Sequence, residues 1–206
     1  MTHDLSEDSI RAEPDPLRWF SHWFAEARRG PSEPPNAMVL ATTDDLGRPD
    51  ARVVLLAQMD DTGLIFMTNY QSRKAQQLEA SLRAALVFHW PEQGRQVRAR
   101  GAVERVDAAC SDAYFASRPR ESQLGAWASH QSRPLPGGSA ELAQRVSQAS
   151  ARFDGGEVPR PPHWGGYRLV PWEIELWQSG PHRLHTRFRF NRDPAGGPWS
   201  VVRLNP

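Results

Sequence analysis

A single cysteine, Cys110, in a chain of 206 residues excludes an internal disulfide and argues against a thiolate metal cluster. A reducing compartment fits that usage. Charge of one sign is lacking too: 25 basic against 24 acidic side chains leave no general field for nucleic acid or an anionic membrane, so any anion chemistry is local. The opening MTHDLSEDSIRAEPDP carries no apolar stretch of signal-peptide length, and no later run approaches a membrane span. The signatures G-x-G-x-x-G after a strand, G-x-x-x-x-G-K-[ST] and H-E-x-x-H are missing. His89, His163 and His182 each stand alone, which reads as structural or surface histidine rather than metal ligation. The expectation is a soluble cytoplasmic protein that holds no metal and contacts neither nucleic acid nor membrane.

What is present suits one sizeable domain, with 39% hydrophobic residues. Residues 1–14 have little to bury and are expected to form a mobile arm, leaving 15–206 as the domain. Asp15 and Pro16 read as the N-cap and first-turn proline of an amphipathic helix carrying Leu17, Trp19, Phe20, Trp23, Phe24 and Ala27, stopped by Gly30 and Pro31. The segment AMVLATTDDLGRPDARVVLLAQMDDTGLIFMTN reads as an antiparallel meander of three strands, broken at the turn clusters DDLG and DDTG. Ser72 is placed to cap a short helix through Ala80, and two strands follow, AALVFHW and RQVRARGAVERV. Helices are expected from Ala108 to about Ser117, within RPRESQLGAWASHQSRP, and from Glu141 to Phe153. WGGYRLVPWEIELWQ, RLHTRFRF and WSVVRLNP read as three more strands. Roughly eight strands with interposed helices and no strict βαβ alternation predict a mainly β chain, an antiparallel barrel with helices at its ends.

Small basic clusters with nearby hydroxyls recur. Arg73 and Lys74 follow Ser72 at a helix start, where unpaired N–H groups and the positive dipole end favour a phosphate; a Ser-Arg-Lys start is also common on surfaces. Arg52 opens a strand and either reaches the same anion or pairs with Asp50. Tyr114, Arg118, Arg120 and Ser122 form a second cluster, either a second phosphate site or a helix end capped by arginine. In RLHTR, strand alternation puts Arg183, His185 and Arg187 on one face, with no carboxylate between Gly180 and Phe190. Such a row is either a solvated sheet face or a wall for an anionic ligand.

RPRESQLGAWASHQS, PRPPHWGGYRLVP, ELWQSGPHRLHTRFRF and the terminal VVRLNP closely resemble the pyridoxine/pyridoxamine 5′-phosphate oxidase family, in order along the chain from about Asp15 to Pro206. The resemblance implies a split β-barrel homodimer with FMN at the subunit interface, held by residues of both chains. On that basis the flavin site includes Arg52, Val53, Val54, Leu55, Leu56, Met67, Thr68, Arg73, Lys74, Gln96, Gln131, Ser132, Trp177 and Arg187. It places the substrate phosphate at Tyr114, Arg118 and Ser122, and the pyridine ring with its reacting carbon near the candidate catalytic residues Arg183 and His185. The implied reaction is oxidation of pyridoxine 5′-phosphate or pyridoxamine 5′-phosphate by O2 to pyridoxal 5′-phosphate and hydrogen peroxide.

Three positions depart from the family's pattern. Ala57 stands where the family has a lysine that meets the substrate phosphate, Thr186 replaces an aspartate, and Met67 takes the place of a tyrosine beside the flavin. Two other readings stay open on the sequence: a related flavin oxidase of another small molecule, as in phenazine biosynthesis, and a non-catalytic FMN or pyridoxal-phosphate binding protein.

Overall fold

The computed structural model of the protein describes residues 4–31 and 34–206. Its strands are β1 Ala37–Thr43, β2 Pro49–Met59, β3 Leu64–Asn69, β4 Arg83–Trp90, β5 Arg95–Arg105, β6 Trp164–Gln178, β7 Thr186–Asn191 and β8 Ser200–Leu204. They run antiparallel in the order β3-β2-β1-β4-β5-β6-β7-β8, and β6 also pairs with β3. That extra pairing closes β1 to β6 into a barrel and leaves β7 and β8 as an extension of the sheet.

Closure depends on the length of β6. Its first residues, from Trp164 to Leu169, pair with β3, its middle and end pair with β5, and its last six residues also carry β7. A register shift beside Gly101 bends the β5–β6 pair. A Cβ at Gly101 would lie 2.1 Å from the Val170 carbonyl oxygen, so the strands meet there only because residue 101 has no side chain. Alternate residues point inward: Met38, Leu40, Phe66, Leu86, Phe88, Val97, Leu169, Ile174, Leu176 and Phe190 are buried together.

The helices are α1 Glu7–Ala12, α2 Pro16–Ala27, α3 Arg73–Ser81, α4 Ala108–Ala116, α5 Arg120–Ala128 and α6 Gly138–Arg152. The α2 start is as the sequence suggests, with the Asp15 carboxylate accepting from Leu17 N–H at 2.9 Å. This helix joins the barrel core through Phe20, whose ring packs edge-on against Phe88 at 4.8 Å. Ser72 caps α3. Helices α4 to α6 bury a smaller cluster of Phe115, Leu124, Ala149, Val158 and Trp164 beside the barrel. Among the described residues no helix is long and apolar enough to cross a membrane.

Two expectations need correction. Residues 1–14 do have something to bury: Leu5 and Ile10 lie in the main core, Ser6 caps α1, and Leu5 N–H donates to Gln178 Oε1 at 2.9 Å. Residues 1–3 of that segment lie outside the described residues. The strand expected over RLHTRFRF starts only at Thr186. Pro181–Arg183 is a 3-10 turn in which His182 and Arg183 take φ of 54° and 63°. Period-two alternation therefore stops short of Arg183 and His185 and cannot put them on one face with Arg187.

Candidate active site

A cleft of about 860 Å³ lies between the barrel wall and the helical flank. From the barrel, β2 presents Arg52, Val53, Val54 and Leu55, and β3 presents Met67 and Thr68. The first turn of α3 adds Arg73 and Lys74, and the loop after α5 adds Gln131 and Ser132. Tyr114, Arg118 and Ser122 close the far side. Leu56 is not part of this wall. Its side chain turns into the barrel core, and Asn36 takes both its N–H and its carbonyl. Ala57 falls at the bulge between Leu56 and Gln58, where β2 loses register with β3.

Cations gather at the α3 start. Lys74 Nζ donates to Gln131 Oε1 at 2.9 Å, tying the loop to the helix. Burial first, and then the Arg52 charge, push the Lys74 ammonium below the ordinary lysine value. Arg73 is mostly exposed and meets one carboxylate, Asp50, at 3.4 Å. Arg52 is more firmly committed: Nη1 donates to Thr42 Oγ1 at 2.6 Å and to the Leu40 carbonyl at 3.1 Å, while Nη2 meets Gln77 Oε1 at 3.0 Å and Asp50 at 2.8 Å. Arg52 thus pairs with Asp50, the second of its two alternatives, and also lines the cleft. A hydrogen bond from Gln77, followed by the Arg52 charge, keeps the Asp50 carboxyl below its usual range.

A second cationic seat stands across the cleft. Arg118 lies against the Trp164 ring at 4.8 Å and the Phe115 ring at 5.6 Å, and its Nη1 is buried with no hydrogen-bond partner. A buried guanidinium nitrogen without an acceptor is costly, and Arg118 is among the residues that line the cleft. Arg120, from the same sequence cluster, turns away and donates to the carbonyls of Phe153 and Gly156 at the end of α6. The arginine that caps a helix end is therefore Arg120, not Arg118.

The sequence reading missed Asn69, Ser129 and Trp164, which also line the cleft. Asn69 directly follows Thr68, and its Nδ2 donates to the Ser129 carbonyl at 3.4 Å. Trp164 opens WGGY, and the two glycines were the available signal. A Cβ at Gly165 would lie 2.1 Å from the Tyr70 hydroxyl, and one at Gly166 would lie 2.7 Å from Val106, so side chains there would force apart the elements that frame the cleft.

Gln96, Trp177, Arg183, His185 and Arg187 are not brought to this cleft within one chain. They form a group of their own: Gln96 pairs with Trp177 across β5 and β6, Trp177 pairs with Arg187 across β6 and β7, and the Trp177 and His185 rings lie 4.6 Å apart. Trp164 and Trp177 mark opposite ends of β6, whose 15 residues extend up to roughly 45 Å at about 3.3 Å per residue. Arg187 is not unneutralised, as its own segment suggested. Its Nε and Nη2 meet the buried Glu175 of β6 at 2.9 and 2.8 Å.

A closed antiparallel barrel flanked by helices, with a cation-lined cleft on its side, defines the class of FMN-binding split barrels. A solved FMN-binding protein from Nostoc punctiforme, related to pyridoxamine 5′-phosphate oxidase, shares that fold at a TM-score of 0.74 and 18% identity, over 93% of this chain and 98% of its own. Residues 24–152 match the family described as pyridoxamine 5′-phosphate oxidase, and residues 164–206 match the pyridoxine 5′-phosphate oxidase C-terminal dimerisation region. The pyridoxine/pyridoxamine 5′-phosphate oxidase of Cupriavidus necator is 53% identical over 98% of this chain and 93% of its own length. That of Azorhizobium caulinodans is 52% identical over 98% and 95%. PhzG from Burkholderia lata, solved in complex with tetrahydrophenazine-1-carboxylic acid, matches at a TM-score of 0.89 and 32% identity over 98% of each chain. The chain belongs to the pyridoxamine 5′-phosphate oxidase family.

Proposed function

We propose that this protein is an FMN-dependent oxidase that converts pyridoxine 5′-phosphate or pyridoxamine 5′-phosphate to pyridoxal 5′-phosphate, with O2 as acceptor. The observation that carries the reading is that Arg118, whose buried Nη1 has no hydrogen-bond partner, lines the same cleft as a second group of cations at Arg73 and Lys74. Two anion seats in one cleft suit a cofactor and a substrate that each carry a phosphate.

The residues present fit FMN. Arg73 and Lys74 at the α3 start hold its phosphate, with Arg52 supplying fixed positive charge behind them. Thr68, Gln131 and Ser132 offer polar groups beside that seat, and Val53, Val54, Leu55 and Met67 supply the apolar wall. Bound there, FMN would supply two-electron oxidation at the 4′ carbon of the vitamer with O2 as final acceptor, giving hydrogen peroxide, and for the amine substrate water would then release ammonia. Tyr114, Arg118 and Ser122 grip the vitamer phosphate and so fix where the 4′ carbon lies.

The remaining wall comes from a second copy of the chain. Within one chain the far end of β6 contributes no residue to the cleft lining, and residues 164–206 match a dimerisation region. In that homodimer Gln96, Trp177 and Arg187 of one copy border the flavin of the other, and Arg183 and His185 reach the vitamer ring. The single cysteine supports a reducing, cytoplasmic location.

Anaerobic mixing of the FMN-loaded protein with pyridoxine 5′-phosphate tests the reading. Oxidised flavin absorbance bleaches and recovers on admission of air, with pyridoxal 5′-phosphate formed. A flavin that stays oxidised at saturating vitamer sinks the assignment. The match to PhzG favours a tetrahydrophenazine carboxylate as the next substrate to try.

A further inference from the structure

His185 is fixed by the turn that precedes it. Leu184 N–H donates to the Pro181 carbonyl at 3.0 Å and His185 N–H to the Arg183 carbonyl at 3.0 Å, closing the chain over two left-handed residues, His182 and Arg183. The turn closes so tightly that a Cβ at Gly180 would lie 2.1 Å from the Leu184 carbonyl oxygen. In this arrangement Gly180 N–H lies 3.2 Å from His185 Nδ1. The ring packs on Trp177 at 4.6 Å and 43°.

A backbone amide can only donate. His185 Nδ1 must therefore present its lone pair, and the one proton of the neutral ring sits on Nε2. The ionisable neighbours on the adjoining elements do not change this: Arg183 and His182 share the turn, Arg187 follows on β7, and Glu175 of β6 is engaged by Arg187 and Arg98. Among the described residues, no carboxylate is hydrogen-bonded to the ring.

We propose that the Gly180 amide holds His185 as the Nε2–H tautomer, so that the ring donates a hydrogen bond to an oxygen of the vitamer and does not take a proton from it. Gly180 is then a positioning residue. The donor role rests on the function proposed above, in which His185 meets the vitamer; the tautomer itself does not. The nitrogen left to face substrate already carries hydrogen and has no lone pair with which to act as a base.

The test has two arms. In protein labelled with 15N-histidine and loaded with FMN, the His185 signals are assigned by their loss in a His185→Gln variant. A pyridine-type Nδ1 and a protonated, pyrrole-type Nε2 at neutral pH are expected; a pyrrole-type Nδ1 overturns the proposal whatever the enzyme oxidises. For pyridoxine 5′-phosphate oxidation, His185→Gln keeps an N–H near the Nε2 position and should hold a kcat/KM about tenfold or more above that of His185→Ala, which should lose about ten- to a hundredfold. Equal loss in both variants, with FMN content unchanged, rules out the donor role. Failure of the parent protein itself to bleach with vitamer would instead remove the functional reading and leave the tautomer to the NMR arm.

Discussion

At the scale of single residues, the two cationic seats differ in what holds them before any ligand arrives. Arg52 is locked by Thr42, Leu40, Gln77 and Asp50, whereas Arg118 keeps a buried nitrogen without a partner. Replacing Arg118 with alanine should therefore weaken the vitamer and spare the flavin. Loss of a charge-assisted contact worth about 1.5–3 kcal/mol predicts a fall in kcat/KM of about ten- to a hundredfold or somewhat more, with FMN affinity unchanged in a fluorescence titration. Lys74 carries a pH signature. A phosphate dianion favours the ammonium, and the ammonium is held below its ordinary value of 10.5 by burial and by Arg52. FMN binding is thus coupled to proton uptake on the alkaline side, so affinity drops as pH rises through that lowered value. Lys74→Met should bind FMN about ten- to a hundredfold more weakly at neutral pH and lose that alkaline dependence. The basic residues of both seats are legible in the sequence because they cluster within a few positions. Glu175, which neutralises Arg187 from a neighbouring strand, is not, because cross-strand partners leave no local trace.

At the scale of elements, helix starts with a side-chain cap are readable, whereas α6, which has none, begins at Gly138 rather than at the expected Glu141, and tight turns are less readable still. Asp15, Ser72 and Asp107 each accept a hydrogen bond from the first turn they precede. The end of α3 carries no such signal: it stops at Leu82 in the left-handed region, φ 52°, with the residue 57% exposed. A glycine there removes the Cβ strain at some cost in unfolded-state entropy. Leu82→Gly should be stabilising by about 0.5–1 kcal/mol, seen as a thermal midpoint higher by about 1–4 °C. The turn at Pro181–Arg183 misled the period-two reading for a related reason: RLHTR alternates like a strand, but two of the residues around it adopt positive φ. The barrel strands, by contrast, follow their alternating burial closely, as β5 shows along Arg95–Arg105.

At the scale of the whole molecule, the proposed site is split between chains, and that can be tested genetically. Arg118→Ala damages the cleft and Arg183→Ala the turn, so each homodimer should be impaired. Reassembled together at equal amounts, half of the dimers are hybrids in which one of the two sites carries neither change. About a quarter of parental activity should return in the mixture, measured against each variant alone. No recovery in mixtures shown by mass to contain hybrids would place both groups in one chain's site. The proposed split was not legible from periodicity or spacing, which act within a chain; only the family resemblance pointed to it.

The pairing of β6 with both β3 and β5 also bears on how the chain is made. Until Trp164–Gln178 has been made, β3 and β5 lack the strand that covers their outer edges in the folded protein. Such bare edges invite pairing with other nascent chains. Covering those edges requires β6, which follows α4, α5 and α6 in the chain, so a product that ends before Trp164 would keep both of them bare.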